Sequence, residues 1–405
     1  MNHLKRVYES ILEDHLIKNR QMLFLVGPRQ VGKTTTSLDL SASYKIHYYF
    51  NWDVQSDRLK IVEGPEAIAE LLKLDILRAS VPVVVFDELH KYAKWKTFLK
   101  GFFDKYHHKV KIIVTGSARL DVYKLGGDSL MGRYFLYRLH PLSVAEIVNP
   151  ALKTMEISEP SPIREEDFDR LFKFGGFPEP FLKSSPQFYS RWRRTRTHQL
   201  FEEDLRDATR IQEVGQIQLL AEILRQQAGQ QTSFTELSKK VNVSIDTIRR
   251  WIEVLKSFYY CFTIQPWKKN VVRSLIKEPK IYLWNWAEVV DAGAKAENFI
   301  ASHLLKAVHF WTDSGWGDYS LHYVRDKEKR EVDFLIVKDE QPWMLVEVKK
   351  SSQAGLSKSL YYYQELLGVN FALQVAMDLD YLPQNCIQDG SPMIVPAKTF
   401  LSQLV

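Results

Sequence analysis

The stretch LVGPRQVGKTTTSLDL, residues 25–40, decides the fold of the first third of this chain. It overlaps an apolar run, MLFLV at 22–26, that has the length of a buried strand. Gly27, Gly32, Lys33 and Thr34 fill every fixed position of the pattern G-x-x-x-x-G-K-[ST]. In such a loop the backbone N–H groups point inward around a β-phosphate, which glycine permits because it lacks a Cβ and tolerates positive φ. Lys33 is expected to reach the β- and γ-phosphates and Thr34 to hold Mg²⁺. A helix beginning near Thr34 would present its positive N-terminal end to the anion. The expected ligand is therefore ATP with Mg²⁺, held by Gly27, Pro28, Arg29, Gln30, Val31, Gly32, Lys33, Thr34 and Thr35. The alternative is a glycine-containing strand-to-helix turn that binds nothing.

With 405 residues the chain has room for two or three domains, each with its own core. A hydrophobic fraction of 45% and a charged fraction of 26% are those of an ordinary globular protein. Only two cysteines occur, Cys261 and Cys386, with no C-x-x-C, so a disulfide framework or cysteine zinc site is not expected and a reducing cytoplasm fits. The N-terminal MNHLKRVYESILEDHL mixes charge and apolar residues at helical spacing, unlike a signal peptide. No window approaches the apolar length of a membrane span. The net charge of +6 is only a mild lean toward polyanions.

VPVVVFDELHKY, residues 81–92, reads as a second buried parallel strand, ending in Asp87 and Glu88. Beside a phosphate loop, Asp87 is expected in the Mg²⁺ shell and Glu88 as the carboxylate that polarises the attacking water. KIIVTGSARL, residues 111–120, ends in Thr115, Gly116 and Ser117, where a small hydroxyl reaches the γ-phosphate or the water, or merely closes a turn. Arg133 stands before a fourth strand, 134–139, as a candidate arginine finger.

This order of phosphate loop, DE-ended strand, TGS-ended strand and arginine before the last strand resembles an AAA+ type ATPase core over about residues 20–150. GPRQVGKTT, DELHKYAKWKTFLKGFFD, TGSA and the run from Gly132-Arg133 to His140-Pro141-Leu142-Ser143 resemble a family of prokaryotic ATPases with a C-terminal domain of unknown function. The resemblance implies a RecA-like parallel sheet. In FGGFPEPFL, residues 174–182, Gly175, Gly176 and Pro178 resemble the turn that opens the helical lid of related ATPases, and read as a lid hinge.

Arg191, Arg193, Arg194 and Arg196 crowd one helical stretch, either as a solvated face or as a phosphate-binding patch. Residues 234–267 carry Leu237 and Val241, a turn at 242–244, then Ile248, Trp251, Ile252 and Leu255 at helical spacing, followed by an aromatic strand. That is the pattern of a winged helix-turn-helix, with Ser244, Thr247, Arg249 and Arg250 outward, which either contacts DNA or packs on neighbouring domains.

Glu331-Val332-Asp333 opens one strand and Glu347-Val348-Lys349 closes the next, so Asp333 and Glu347 could share a divalent cation with Lys349 beside them. The spacing D-x13-E-x-K resembles the PD-(D/E)xK nuclease family over about residues 290–380. The resemblance implies a third acid at Glu297 and RecB-like tyrosine and glutamine positions within Tyr361 to Gln364; Val332 stands where that family often has proline. A retained fold does not establish retained cleavage.

The expected class is α/β: a RecA-like P-loop parallel sheet with a helical lid, a winged helix-turn-helix and a restriction-endonuclease-like C-terminal α/β domain. The expected divisions are 1–155, 156–228, 229–275 and 276–405. Two readings stay open: an ATPase coupled to a DNA-associated task with metal-dependent cleavage, and an ATP-controlled switch whose C-terminal domain binds nucleic acid or protein without cutting. Glu88 speaks against a small-molecule kinase. A finger at Arg133 would act from a neighbouring copy, implying a homo-oligomer.

Overall fold

The computed structural model describes residues 4–76, 80–116, 130–151, 153–205, 213–267, 278–388 and 390–405. The chain divides into two compact units, Met1–His140 and Pro141–Val405. The expected boundary between 275 and 276 falls outside the described residues.

Unit 1 runs α1 Val7–Lys18, β1 Met22–Val26, α2 Lys33–Ala42, β2 His47–Asn51, α3 Gln55–Glu63, α4 Pro65–Leu71, β3 Val83–Asp87, α5 Trp95–Tyr106, β4 Lys111–Gly116 and β5 Tyr134–Arg138. The strands pair in the order β2-β3-β4-β1-β5, every pairing parallel. Continuous apolar runs suit such a sheet, because both faces are covered: all five residues of β1 and of β3 are buried. On one face Phe24 and Phe86 meet Trp95, Phe98 and Phe102 of α5, the rings of Phe86 and Phe102 crossing edge to face at 5.7 Å. Parallel strands direct all their C-terminal ends to one edge, so the loop after Val26, the acids after Phe86 and the hydroxyl of Thr115 share it.

Unit 2 begins with helices: α6 Val144–Val148, α7 Glu165–Phe174, α8 Pro178–Lys183, α9 Pro186–His198, α10 Val214–Gln226, α11 Phe234–Val241 and α12 Ile245–Ser257. It continues with β6 Cys261–Pro266, β7 Lys280–Leu283, α13 Ala292–Asp313, β8 Tyr319–Arg325, β9 Glu331–Lys338, β10 Gln341–Lys349, α14 Lys358–Leu367, β11 Phe371–Ala376, β12 Met393–Pro396 and α15 Ala397–Ser402. The seven strands form one sheet, β12-β11-β10-β9-β8-β6-β7. The strands that follow the α11–α12 pair thus extend the C-terminal sheet instead of forming a separate one. β9 and β10 are a hairpin whose central residues, Asp339 and Glu340, both have positive φ, the geometry of a twisted two-residue turn.

Local chemistry accounts for the helix pair. Ser233 caps α11 and Ser244 caps α12, each side chain accepting a backbone N–H, while Asn242 takes the left-handed conformation between them at φ 59°. Ile248, Trp251, Ile252 and Leu255 are buried at the spacing of one helix face, and Arg249 and Arg250 are exposed on the other. The Gly175-Gly176 turn is a packing site: a Cβ on Gly176 would lie 2.5 Å from Trp286 and 2.6 Å from the carbonyl oxygen of Leu142. That close approach is open only to a residue without a Cβ at Gly176.

α13 is the spine of unit 2. Asn298 bonds both the N–H and the carbonyl of Leu283 on β7, each at 2.8 Å. His303, 2% exposed, donates from Nδ1 to the Phe299 carbonyl at 2.8 Å and accepts the Val144 N–H on Nε2 at 3.1 Å. Lys306 meets the Pro141 carbonyl at 3.2 Å, Ser143 Oγ at 3.0 Å and Glu146 at 2.5 Å. Burial pushes the His303 imidazole down to about 3. The folded pKa lies below the ordinary 6.5, so unfolded chains take up a proton that the folded state refuses, and stability is lost as pH falls from about 6.5 toward 3. Denaturant unfolding followed by tryptophan fluorescence should show His303 accounting for a loss of roughly 2 kcal/mol between about pH 7 and about pH 5. His303→Gln should flatten that slope.

Candidate functional sites

The first site is assembled at the strand-end edge of unit 1. Gly27 has φ 153°, and a Cβ there would sit 2.2 Å from the carbonyl oxygen of Leu139, so the chain leaves β1 by a path open to glycine alone. Gln30 at φ 62° and Gly32 at φ 105° complete the turn into α2. No side chain caps α2 and no acid stands in its first turn, so its N-terminal end has no anion of its own. Lys33, 6% exposed, folds over the loop and donates to the carbonyls of Gly27 at 3.0 Å and Pro28 at 2.8 Å. Burial pulls its ammonium down to about 8, against the opposing pull of Glu88 and Asp87.

Asp87, 3% exposed at the end of β3, accepts three hydroxyls: Thr34 at 2.8 Å, Tyr49 at 2.6 Å, and Thr115. Burial, and then the bond to Asp87, raise the Tyr49 phenol and keep it a donor. Next to Asp87, Glu88 has φ 54°, and its buried Oε2 accepts no hydrogen bond; Lys91 Nζ lies 3.5 Å from it and His90 Nε2 3.7 Å. A non-glycine residue held in the left-handed region is a strained placement of the kind that clusters at functional sites.

This donor set fits a nucleotide with Mg²⁺: hard oxygens from Thr34 and Asp87, an ammonium on the loop and an uncapped helix end. Lys33 and the loop from Gly27 to Thr35 would hold the phosphates.

Arg133 stands elsewhere. It precedes β5, whose Tyr134 is level with Met22 at the start of β1, whereas the loop follows Val26. Four strand steps, roughly 13 Å, separate the two ends. Its guanidinium pairs with Asp104 of α5 at 2.7 and 3.0 Å. In its own subunit Arg133 thus sits at the end of β5 opposite the loop, paired with α5. The arginine level with Val26 is Arg138, half-buried at the C-terminal end of β5. Ser117 lies outside the described residues. Sequence reasoning passes over Tyr49 and also Arg6, whose buried guanidinium joins the Val31 carbonyl at 2.7 Å to the His140 carbonyl at 2.6 Å and braces the loop from behind. Neither has a local signal: Tyr49 lies 38 positions from Asp87, and Arg6 lies 25 from Val31.

In unit 2 the structure does bring Glu297, Asp333, Glu347 and Lys349 together. The Asp333 N–H donates to Glu347 at 3.4 Å, the Val348 N–H to Asp333 at 2.9 Å, and Lys349 to Glu347 at 2.6 Å. Burial, and then Asp333, push both the Glu297 and Glu347 carboxyls up. The pattern did not reveal Lys280 on β7. Its ammonium lies 3.0 Å from Glu297, 2.7 Å from Glu331 and 3.4 Å from Asp333. Burial alone would lower that ammonium, but Asp333, Glu297 and Glu331 together hold it above its ordinary value. Tyr282 donates to Glu297 at 2.7 Å, and Arg325 pairs with Glu331 at 2.7 Å.

The divalent cation expected on Glu297, Asp333 and Glu347 does not fit this arrangement. All four oxygens of Asp333 and Glu347 already accept a bond from the chain, and an ammonium stands among the acids. Among the described residues no group of three or more His, Cys, Asp or Glu side chains is arranged to hold a metal ion. Two of the RecB-like positions are also committed elsewhere, the Tyr363 hydroxyl to the Arg330 carbonyl at 3.0 Å and Gln364 to the Gly390 carbonyl at 2.6 Å. Of the arginine run, Arg196 is packed over the Phe177 ring at 4.3 Å and lies 3.6 Å from Glu288, whereas Arg191 and Arg194 are exposed.

Residues 19–148 match the family model described as an AAA domain. Residues 165–287 match a domain of unknown function, DUF8612, and residues 292–385 another, DUF4143. The chain carries an AAA-type P-loop ATPase domain followed by two domains of unknown function. Two proteins named as uncharacterized, from Mycobacterium bovis and Mycobacterium tuberculosis, are each 23% identical over 354 residues, covering 84% of this chain and 72% of theirs. AMPPCP-bound DnaA from Aquifex aeolicus matches over 63% of this chain and 89% of its own at 15% identity and a TM-score of 0.31. Thermotoga maritima RuvB matches over 63% and 86% at 16% identity and the same TM-score of 0.31. No helix of the described residues is long and apolar enough to cross a membrane.

Lys33 must be protonated to hold phosphate, and in the free protein its proton is lost as pH rises through about 8. Calorimetric titration with ATP should accordingly show proton uptake near pH 8 and an affinity that falls from about pH 7.5 to about pH 9.5, a dependence that Lys33→Arg abolishes.

Proposed function

We propose that this chain is a Mg²⁺-dependent ATPase whose turnover is coupled to a DNA-associated task, with unit 2 holding nucleic acid and not cutting it. The observation that carries the first half is Asp87, which gathers Thr34, Tyr49 and Thr115 beside the buried ammonium of Lys33. Magnesium in such a site neutralises charge developing on the phosphates. The chain's own residues supply the rest. The loop orients the phosphates, Lys33 offsets their charge, and Asp87 keeps the Thr34 hydroxyl in place. Glu88, next to Asp87 at the same strand end, takes a hydrogen bond from the attacking water on its carboxylate and polarises it.

The DNA reading rests on the α11–α12 pair and its following strands, which we read as a winged helix-turn-helix. Arg249 and Arg250 are exposed on the second helix, and Arg249 is engaged by Asp246 at 3.2 Å, a surface pair that exchanges readily for phosphate. The β8–β11 sheet with α13 and α14 is read as nuclease-like in fold. Lys280 among its acids favours binding over cleavage, which is the switch reading of unit 2. Two buried free thiols, Cys261 and Cys386, are in keeping with a cytoplasmic home. A homo-oligomer remains part of the proposal: Arg133, set apart from its own loop, is available only to a neighbouring copy, once released from Asp104.

Glu88→Gln should retain ATP affinity and lose roughly a hundredfold or more in kcat, measured by phosphate release. Equal kcat in the variant would remove Glu88 from the mechanism. Duplex DNA should change the ATPase rate of the wild type. Arg249→Ala with Arg250→Ala should weaken DNA binding and lower the slope of log affinity against log salt by about one to two, as fits two lost phosphate contacts. An unchanged slope and affinity would move the helix pair to a packing role.

A further inference from the structure

The acid cluster of unit 2 contains a cation that the chain supplies itself. Lys280 is 4% exposed at its side chain and lies within 3.4 Å of three carboxylates that come from α13 and β9. β7 is separated from β9 by β6 and β8 in the sheet, so the lysine must cross two strands to get there. It does so past the ring of Tyr323 on β8, with Nζ 5.6 Å from the ring centroid. Tyr323 is fixed in turn by donating to the Glu278 carbonyl at 2.8 Å and accepting from Gln231 at 3.1 Å. Gly229, at φ 77°, closes the wall behind Glu297; a Cβ there would lie 3.3 Å from the carboxyl group.

We propose that Lys280 is the resident cation of this cluster, standing where a divalent ion would otherwise sit, and that its removal opens a site for a hard, oxygen-binding dication on Glu297 and Asp333. The chemistry is direct. An ammonium within hydrogen-bonding distance of the same oxygens repels a dication and occupies its volume, while satisfying carboxylates that burial would otherwise leave uncompensated. The packing is specific to this role, because a lysine bound for solvent would have no reason to cross Tyr323 toward the interior. With Lys280 in place, unit 2 meets its partner without a metal. This inference does not depend on ATP hydrolysis in unit 1.

The test is Mn²⁺ binding by the full chain without nucleotide, followed by electron paramagnetic resonance of the free ion, for wild type, Asp333→Asn, Lys280→Met and Lys280→Met/Asp333→Asn. The proposal expects no Asp333-dependent Mn²⁺ site in the wild type. It also expects Lys280→Met to gain one, at least about tenfold tighter than any wild-type binding, and to lose it again when Asp333→Asn is added. Wild-type binding that depends on Asp333 would overturn the proposal, and so would a folded Lys280→Met protein that gains no site. Should Lys280→Met fail to fold, Lys280→Met/Glu331→Gln removes one charge of each sign and carries the same expectation.

Discussion

An ammonium group withdrawn from water must be given oxygens in return, and the way this chain meets that demand organises both of its units. Three of the five lysines buried among the described residues do it differently. Lys33 is given carbonyls of its own loop, Lys306 a carbonyl, a hydroxyl and the carboxylate of Glu146, and Lys280 three carboxylates. Carbonyl dipoles compensate a charge only in part, and the fall of the Lys33 pKa to about 8 records the shortfall. Carboxylates compensate it fully. Lys280 is accordingly held above its ordinary pKa despite similar burial.

That difference separates an open site from a closed one. Around the loop of unit 1, a partly compensated cation and an uncapped helix end leave a positive deficit that a polyphosphate would fill, and Asp87 is kept occupied by neutral hydroxyls that cannot cancel its charge. Around Asp333, the four carboxylates Glu297, Glu331, Asp333 and Glu347 face the three cations Lys280, Lys349 and Arg325. Burial, and then Asp333, raise Glu297 and Glu347, which disfavours a full set of four charged acids beside those cations. The same residue types thus build a receptive site in one unit and a self-satisfied one in the other.

The sequence carried the strand–loop–helix of unit 1 because its information is local: five apolar residues, two glycines in a fixed loop, and a helix that begins at the lysine. The α11–α12 pair was legible for the same reason, through serine caps and a clean apolar stripe. Contacts that depend on strand order were not legible. Arg133 reads as active because it precedes a strand, but only the pairing of Tyr134 with Met22 reveals which end of the sheet it occupies. Lys280 is silent for a related reason. Nothing in EPKIYLW marks a lysine on an edge strand as the partner of acids across two further strands. Tyr363 and Gln364 match the RecB-like spacing on α14, yet spacing does not say which loop a helix face will hold.

The long helix α13 makes the closed cluster part of something larger within unit 2. Glu297 and Lys306 are nine residues apart on it, roughly 13 Å of continuous helix, with Asn298 fixing β7 and His303 fixing Val144 between them. Breaking the Lys306–Glu146 pair, with side chains 2% and 0% exposed, would leave a buried charge unpaired at about 3–5 kcal/mol. Thermal motion does not supply that readily. Residues 141–146 and the cluster that holds Lys280 are thus tied to the same continuous helix, the one through Lys306 and the other through Glu297.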